Sequence, residues 1–286
     1  MSDVVLKVVN GWAIHPSSLK TAAGTPRFTV HFPTHLHGDQ GTRHLIVNDA
    51  QTGYEVPTRD LLESVLRPGD LFLDVGAHWG FFSLQAATHP AGAVNVIAVE
   101  ADAQNAAILF RNISANGLTE AIQPVCAACG DRAELAPLIS NTNMGHSVRG
   151  TGLKPPFGRG PAKWVPVLTL DQILAAVPHS SDSRVILKID VEGFEPQVLA
   201  GAQELLASGR VALIIWERGH AFADGVERDL MLAMVDRLSR IGYRHWRPAH
   251  KHRPTPLIPF HPEEKYQCNV FSAATGVEIP GVEGGV

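Results

Sequence analysis

From position 58 onward, short apolar runs separated by turn-forming residues alternate between a helical period and continuous strand-like stretches. TRDLLESVLRPGD places Leu61, Leu62, Val65 and Leu66 at helical spacing and stops at Pro68 and Gly69. LFLDV (71–75) reads as a buried strand, WGFFSLQAATH as a helix, and VNVIAVE (94–100) as a second strand. DAQNAAILFRNISANGL is a helix closed by Asn116 and Gly117. IQPVCAA (122–128) is a third strand, in which Pro124 favours a sheet edge. The alternation resumes at WVPVLTLDQILAAV, then strand RVILKID (184–190), helix EPQVLAGAQELLASG, strand VALIIWE (211–217), helix ERDLMLAMVDRLSRIG and strand YQCNVFSAA (266–274). Repeated βα units with apolar strands predict an α/β fold whose parallel sheet is covered on both faces.

Three stretches break this rhythm and set the expected domain organisation. Residues 1–55 show no helical period; VVLKVV (4–9), RFTVHF (27–32) and HLIV (44–47) predict an N-terminal β arm or small subdomain. Residues 139–164, ISNTNMGHSVRGTGLKPPFGRGPAKW, are so rich in Gly, Pro, Asn and Ser that they predict a long functional loop or lid. The main domain spans 56–276, and GVEIPGVEGGV makes 277–286 a flexible tail.

Composition narrows the function classes. The 286 residues are 45% hydrophobic, enough for one large α/β domain with an arm. A net charge of -4 argues against a nucleic-acid partner, which calls for a basic balance. No run of about 18 apolar residues is present, so no membrane span is expected. MSDVVLKVVNGW has no signal-peptide pattern, and Cys126, Cys129 and Cys268 are too few for a disulfide framework. The cytoplasm is the expected compartment.

The chemistry starts in DLFLDVGAHWGFFSL. Strand LFLD ends at Asp74, Gly76 permits a turn that a side chain would block, and Gly80 lets the following helix pack close. Such a turn aims backbone N–H groups and a helix N-terminus at a ligand. A dinucleotide fingerprint wants glycine at three places, and here the triplet is Gly76, His78 and Phe81. NAD and FAD are thereby disfavoured. S-adenosylmethionine, which has no pyrophosphate, tolerates the bulkier turn, and Glu100 ends the next strand where a carboxylate accepts from ribose hydroxyls.

DVGAHWG, VIAVEADAQNAAILFRNISANGL, VPVLTLDQIL and above all ILKIDVEGFEPQVLAGAQELL resemble the FkbM family of S-adenosylmethionine-dependent methyltransferases. The lead-in GYEVPTRDLLESVLRPGD is similar too, and the resemblance covers roughly residues 50–217. It implies a class I Rossmann-like fold, a seven-stranded mostly parallel sheet whose last strand is antiparallel. It also implies transfer of a methyl group to a hydroxyl of a small-molecule acceptor, a sugar, glycan or polyketide-like compound. Carried onto this chain, it implies that Asp74, Gly76 and Gly80, with Ala77, His78 and Trp79 of the same turn, shape the cofactor pocket. Glu100 would bind the ribose, Asp131 would lie near the adenine or else be an exposed turn acid, and Glu55 would close over the cofactor or else be a surface acid. The family's loop usually carries a small-residue run where this chain has NTNMGHSV, and that departure leaves the acceptor open.

KIDVEG supplies the second site. Its strand delivers Asp190 to the same sheet end as Asp74, facing the transferable methyl, where a carboxylate orients the acceptor, acts as a base or holds a metal. Glu192 is a second acid there, or an N-cap of the next helix. Position also selects His146 in the long loop, and His220 and Glu217 at the end of VALIIWE, as catalytic candidates. A divalent metal on Asp190, Glu217 and a neighbour, a metal on His31, His35 and His37, and a zinc or redox role for the Cys126–Cys129 pair are weaker alternatives. Two other function classes stay open from sequence, a non-catalytic cofactor-binding protein and a nucleotide-dependent oxidoreductase.

Overall fold

The structure, a computed structural model, describes residues 6–36, 40–140, 146–148, 162–223, 225–250, 256–264 and 266–282. It opens with a three-stranded antiparallel sheet of β1 (Lys7–Val9), β2 (Trp12–Pro16) and β3 (Thr29–Pro33). Alternate residues of β3, Val30 and Phe32, are fully buried, the signature of a sheet wetted on one face. Helix α1 (Gln40–Gln51) then replaces the strand expected at 44–47. A tertiary contact decides this: Asp49 is buried against β2 and the loop after it, bonding His15 Nε2 at 2.8 Å and Ser18 Oγ at 2.5 Å. Helix α2 (Val56–Val65) follows, carrying Pro57 in its first turn, where a missing N–H costs nothing.

The main body runs through β4 (Leu71–Val75), α3 (Phe81–Ala87), β5 (Asn95–Glu100), α4 (Ala103–Ala115) and β6 (Ile122–Cys126). Next come β7 (Ala128–Cys129), β8 (Glu134–Ser140), β9 (His146–Val148), β10 (Ala162–Leu168) and α5 (Leu170–Ala176). The chain continues with β11 (Val185–Ile189), α6 (Glu195–Ala200), α7 (Gln203–Ala207), β12 (Val211–Arg218) and α8 (Gly225–Arg240). It ends with β13 (Tyr243–Pro248), β14 (Leu257–Pro259) and β15 (Cys268–Ala274).

One sheet has the order β14-β13-β15-β12-β11-β4-β5-β6. β4, β5, β6, β11 and β12 are mutually parallel, and β15 runs antiparallel to both β12 and β13. The sheet therefore has eight strands where seven were expected, β14 lying at the edge, and the last strand in sequence, β15, runs antiparallel to its neighbours. Pro124 sits on β6 at the opposite edge, where its missing N–H faces no neighbour strand. Every residue of β4 and β11 is buried, which is why both read as unbroken apolar runs. From β4 the chain winds outward to β6 and then returns to β11 on the other side. A crevice therefore opens between the carboxyl ends of β4 and β11.

The predicted loop 139–164 is partly strand. β8 extends to Ser140, β9 pairs with it, and β10 begins at Ala162; with β7 they form a second sheet of order β7-β10-β8-β9. Residues 141–145 and 149–161 of that expectation lie outside the described residues. The single helix expected over 195–209 is two short ones, broken at Gly201 and Ala202. The expected flexible tail is docked as far as Val282: Leu257 N donates to Gly281 O at 2.8 Å, and Ile279 is buried in the core. Apolar Val277, Ile279 and Val282 cover the sheet edge, while 283–286 lie outside the described residues.

The N-terminal sheet shares the main hydrophobic core. Phe28 meets Phe81 edge-on at 5.3 Å between ring centroids, and Phe32 stacks on Trp79 at 5.5 Å. Backbone groups of β3 are held by α4 and its C-terminal cap, His31 N donating to Asn112 Oδ1 at 2.7 Å and Thr29 N to Asn116 Oδ1 at 2.8 Å. α1 and α2 are thereby set over the mouth of the crevice.

Candidate active site

A cavity of about 870 Å3 fills the crevice. Its first half is built by the turn after β4. Gly76 has a positive φ of 80°, and a Cβ there would fall 1.9 Å from the Asp190 carbonyl oxygen, so the β4 and β11 ends approach as only glycine allows. Gly80 also has a positive φ, 87°, and a Cβ would press on Leu109 of α4 at 2.5 Å. Between them His78 adopts a left-handed φ of 52°, which aims its N–H at Glu100 Oε2, 2.9 Å away. The other oxygen, Oε1, accepts from Asp102 N at 2.8 Å. Burial pushes the Glu100 carboxyl up to about 7, with the two backbone amides opposing that rise.

Asp74 and Gly80 lie beneath the cavity wall rather than on it. Asp74 is buried, its Oδ2 accepts from Ser83 Oγ at 2.6 Å, and its Oδ1 has no hydrogen-bond partner. Burial raises its proton affinity. Trp79 is anchored rather than presented, donating from Nε1 to Asn105 Oδ1 at 3.1 Å. Ala77, His78 and Trp79 all line the cavity. On the far side of Glu100 the wall is Ala127, Ala128 and Cys129. Asp131, expected near the adenine, is exposed beside Arg132 at 3.4 Å and outside the cavity lining, because after Gly130 the chain turns off towards β8.

The second half lies over β11, β12, β15 and β13. Asp190 follows β11, and Lys188, buried within that strand, donates to its Oδ2 at 3.0 Å while lying 5.0 Å over the Phe82 ring. Glu192, with a left-handed φ of 55°, and Glu217 of β12 complete a group with Asp190 whose carboxylate oxygens lie within 4.8 Å of one another. Glu217 Oε1 accepts from Gln267 Nε2 at 2.9 Å. Burial, then the negative charges of Asp190, Glu192, Glu195 and Glu55, push the Glu217 carboxyl up to about 9. Glu195, wholly buried in α6, accepts from Val191 N at 3.2 Å and is pushed up to about 8. Acids this close share protons or take a cation, and this is the set among the described residues that could hold a divalent metal.

Glu55 reaches the cavity from the N-cap of α2 with a left-handed φ of 41°, and Asn269 Nδ2 of β15 donates to its Oε2 at 2.9 Å. Of the four non-glycine residues with positive φ among the described residues, three, Glu55, His78 and Glu192, line this cavity. That clustering marks a place where the surrounding packing sustains local strain.

The histidine candidates are less defined. His146 opens β9 opposite Ser140, and His220 begins a 3-10 turn after β12; the side chains of both lie outside the described residues. Of the alternative metal sets, His31 bonds Thr29 Oγ1 at 2.9 Å, His35 is exposed and His37 lies outside the described residues. Cys126 is exposed whereas Cys129 is buried, and both are free. Sequence reasoning missed Lys188, Tyr54, Arg247, Tyr266, Gln267 and Asn269, all of which line the cavity. Lys188 had a signal, a charge inside an apolar strand, and Tyr54 stands beside Glu55 in the lead-in stretch; the others come from segments with no motif.

The sequence profile described as the Methyltransferase FkbM domain matches residues 74–245, more than half of the chain. The chain belongs to the FkbM methyltransferase family. Among solved structures it is similar to the methyltransferase FkbM of Methylobacillus flagellatus, with 16% identity and a TM-score of 0.46 over 75% of this chain and 50% of that one. It spans half the length of that protein. It is also similar to SMU.1697c of Streptococcus mutans in complex with SAH (11% identity, TM-score 0.44, 77% of this chain and 96% of that one). A third similar structure is the precorrin-6y C5,15-methyltransferase of Geobacter metallireducens (13%, TM-score 0.40, 76% and 87%). With TM-scores below 0.5, the assignment rests on the sequence match. No curated protein matches the chain closely enough to count as a relative.

The FkbM family is one of S-adenosylmethionine-dependent methyltransferases, and the first half of the cavity fits that cofactor. Glu100, a buried carboxylate at the next strand end that also lines the cavity, is an acceptor for the hydroxyls of such a ligand, and the tight turn at Gly76 brings His78 beside it. Among the described residues, no helix is long and apolar enough to cross a membrane.

Proposed function

We propose that this FkbM-family enzyme methylates a hydroxyl of a sugar or another hydroxylated small molecule. One observation carries the reading: beyond Asp190 the cavity is lined by convergent polar groups, Glu192, Glu217, Gln267, Asn269 and Arg247, rather than by an apolar slot. Such a lining suits an acceptor that presents several hydroxyls.

When bound, S-adenosylmethionine supplies an electrophilic methyl on a sulfonium, and the protein must place the nucleophile and take its proton. His78, Glu100 and the Gly76 turn hold the donor. Asp190 faces the acceptor hydroxyl and receives its proton, with the Lys188 ammonium at 3.0 Å fixing the carboxylate. Glu217, which keeps its proton through neutral pH, donates a hydrogen bond that orients the acceptor. His146 and His220 are alternative proton acceptors on the same reading. Three cysteines, too few for a disulfide framework, support a reducing, cytoplasmic setting.

The test is incubation with S-adenosylmethionine and a panel of hexoses, amino sugars and macrocyclic alcohols, reading S-adenosylhomocysteine release and the product by NMR. An O-methyl product is expected. A methyl group on nitrogen or carbon, or cofactor binding with no turnover on any acceptor, overturns the proposal.

A further inference from the structure

The second sheet reaches into the cofactor half of the site. Lys163 of β10 places Nζ 2.5 Å from Asp102 Oδ2 and 3.4 Å from Gln104 Oε1. The Asp102 side chain is almost wholly buried, whereas that of Lys163 is 42% exposed. Asp102 caps α4 through Oδ1, which accepts from Gln104 N at 2.9 Å, and its own N–H donates to Glu100 Oε1. A cation from the second sheet is therefore one residue removed from the carboxylate assigned to the ribose.

We propose that Lys163 is a positioning residue for the cofactor, acting on the Glu100 carboxylate through Asp102. The inference rests on the reading of Glu100 as the ribose acceptor. The physical reason is charge crowding. Two buried carboxylates, Glu100 and Asp102, stand at the end of β5, and Asp102 makes the Glu100 charge harder to hold. The other groups facing them are the His78 turn, Asn105 and Gln104 of α4, and Cys126 of β6, whose thiol is itself raised by burial and by both carboxylates. Lys163 brings a cation into contact with Asp102, so it offsets the field that Asp102 exerts on Glu100. Without it, Glu100 takes up a proton at a higher pH and presents the ribose with a weaker acceptor.

Calorimetry with S-adenosylhomocysteine tests this at pH 7 and near pH 9. Lys163→Met is expected to weaken binding on the order of fivefold at pH 7, with the gap closing to about twofold near pH 9. Lys163→Arg should restore affinity. In an Asp102→Asn background, where asparagine keeps the helix cap, Lys163→Met should cost nothing further. Equal loss at both pH values, or undiminished loss in the Asp102→Asn background, means that Lys163 merely packs the second sheet and overturns the inference. So does unchanged binding by Lys163→Met when Glu100→Gln binds weakly. If Glu100→Gln itself binds as the wild type does, the ribose assignment falls and takes this inference with it.

Discussion

The two halves of the cavity are made in different ways. The half over β4, β5 and β6 is a backbone device, in which a glycine turn and two main-chain amides hold one carboxylate. The half over β11, β12, β15 and β13 is a side-chain device, in which Glu192 and Glu217 cluster with Asp190 and one buried lysine faces Asp190 and Glu55. The first suits one fixed cofactor, since main-chain groups cannot be exchanged by substitution. The second leaves the acceptor free to change, because its groups are individually replaceable on a constant frame.

The largest expected effect breaks both halves at their seam. Gly76→Ala places a methyl 1.9 Å from the Asp190 carbonyl, at a positive φ, and should cost on the order of 3 kcal/mol or more in thermal unfolding, with loss of cofactor binding. Next, Asp190→Asn should lower turnover on the order of a hundredfold while S-adenosylhomocysteine affinity changes little. Equal loss of both would move Asp190 into the cofactor half. Glu100→Ala should do the reverse, weakening S-adenosylhomocysteine binding by about 2 kcal/mol in calorimetry.

The smallest effects are those of pH. Glu100 titrates at about 7, so cofactor affinity should rise as pH climbs through 7 and level off above it. For Glu217 the native carboxyl, raised to about 9 from an ordinary 4.5, binds more protons than the unfolded chain between those values. Its contribution to stability therefore falls as pH rises across that window. Glu217→Gln should flatten that part of the stability profile, and because Gln keeps a donor, turnover near pH 7 should fall only a few-fold. A profile unchanged from the wild type would show that Glu217 is solvated like any surface acid.

The cofactor half was legible because its residues are close in sequence. Asp74, Gly76, His78 and Gly80 form one strand–turn–helix, and Glu100 follows at the next strand end. Asp190 was legible for the same reason, as the end of an apolar strand in a specific motif. Asp131 stands on an exposed turn outside the cavity lining, the other reading its sequence allowed, because the turn at Gly130 leads into β8, a strand that no periodicity announced. The helix at 40–51 was missed because its stability comes from His15 and Ser18 holding Asp49, a contact made only after folding.

By itself, the sequence determined the βα alternation, the glycine turn and the Glu100 and Asp190 strand ends, which follow from periodicity and from conformations that only glycine adopts easily. Its motifs also carried the FkbM resemblance. The tertiary structure alone decided that Glu55 meets Asn269, that Glu217 crowds Asp190 and Glu192, and that Lys163 reaches Asp102. Those groups come from segments far apart in the chain. Their charges acquire meaning only when burial removes the water that would screen them and brings them within a few ångströms of one another.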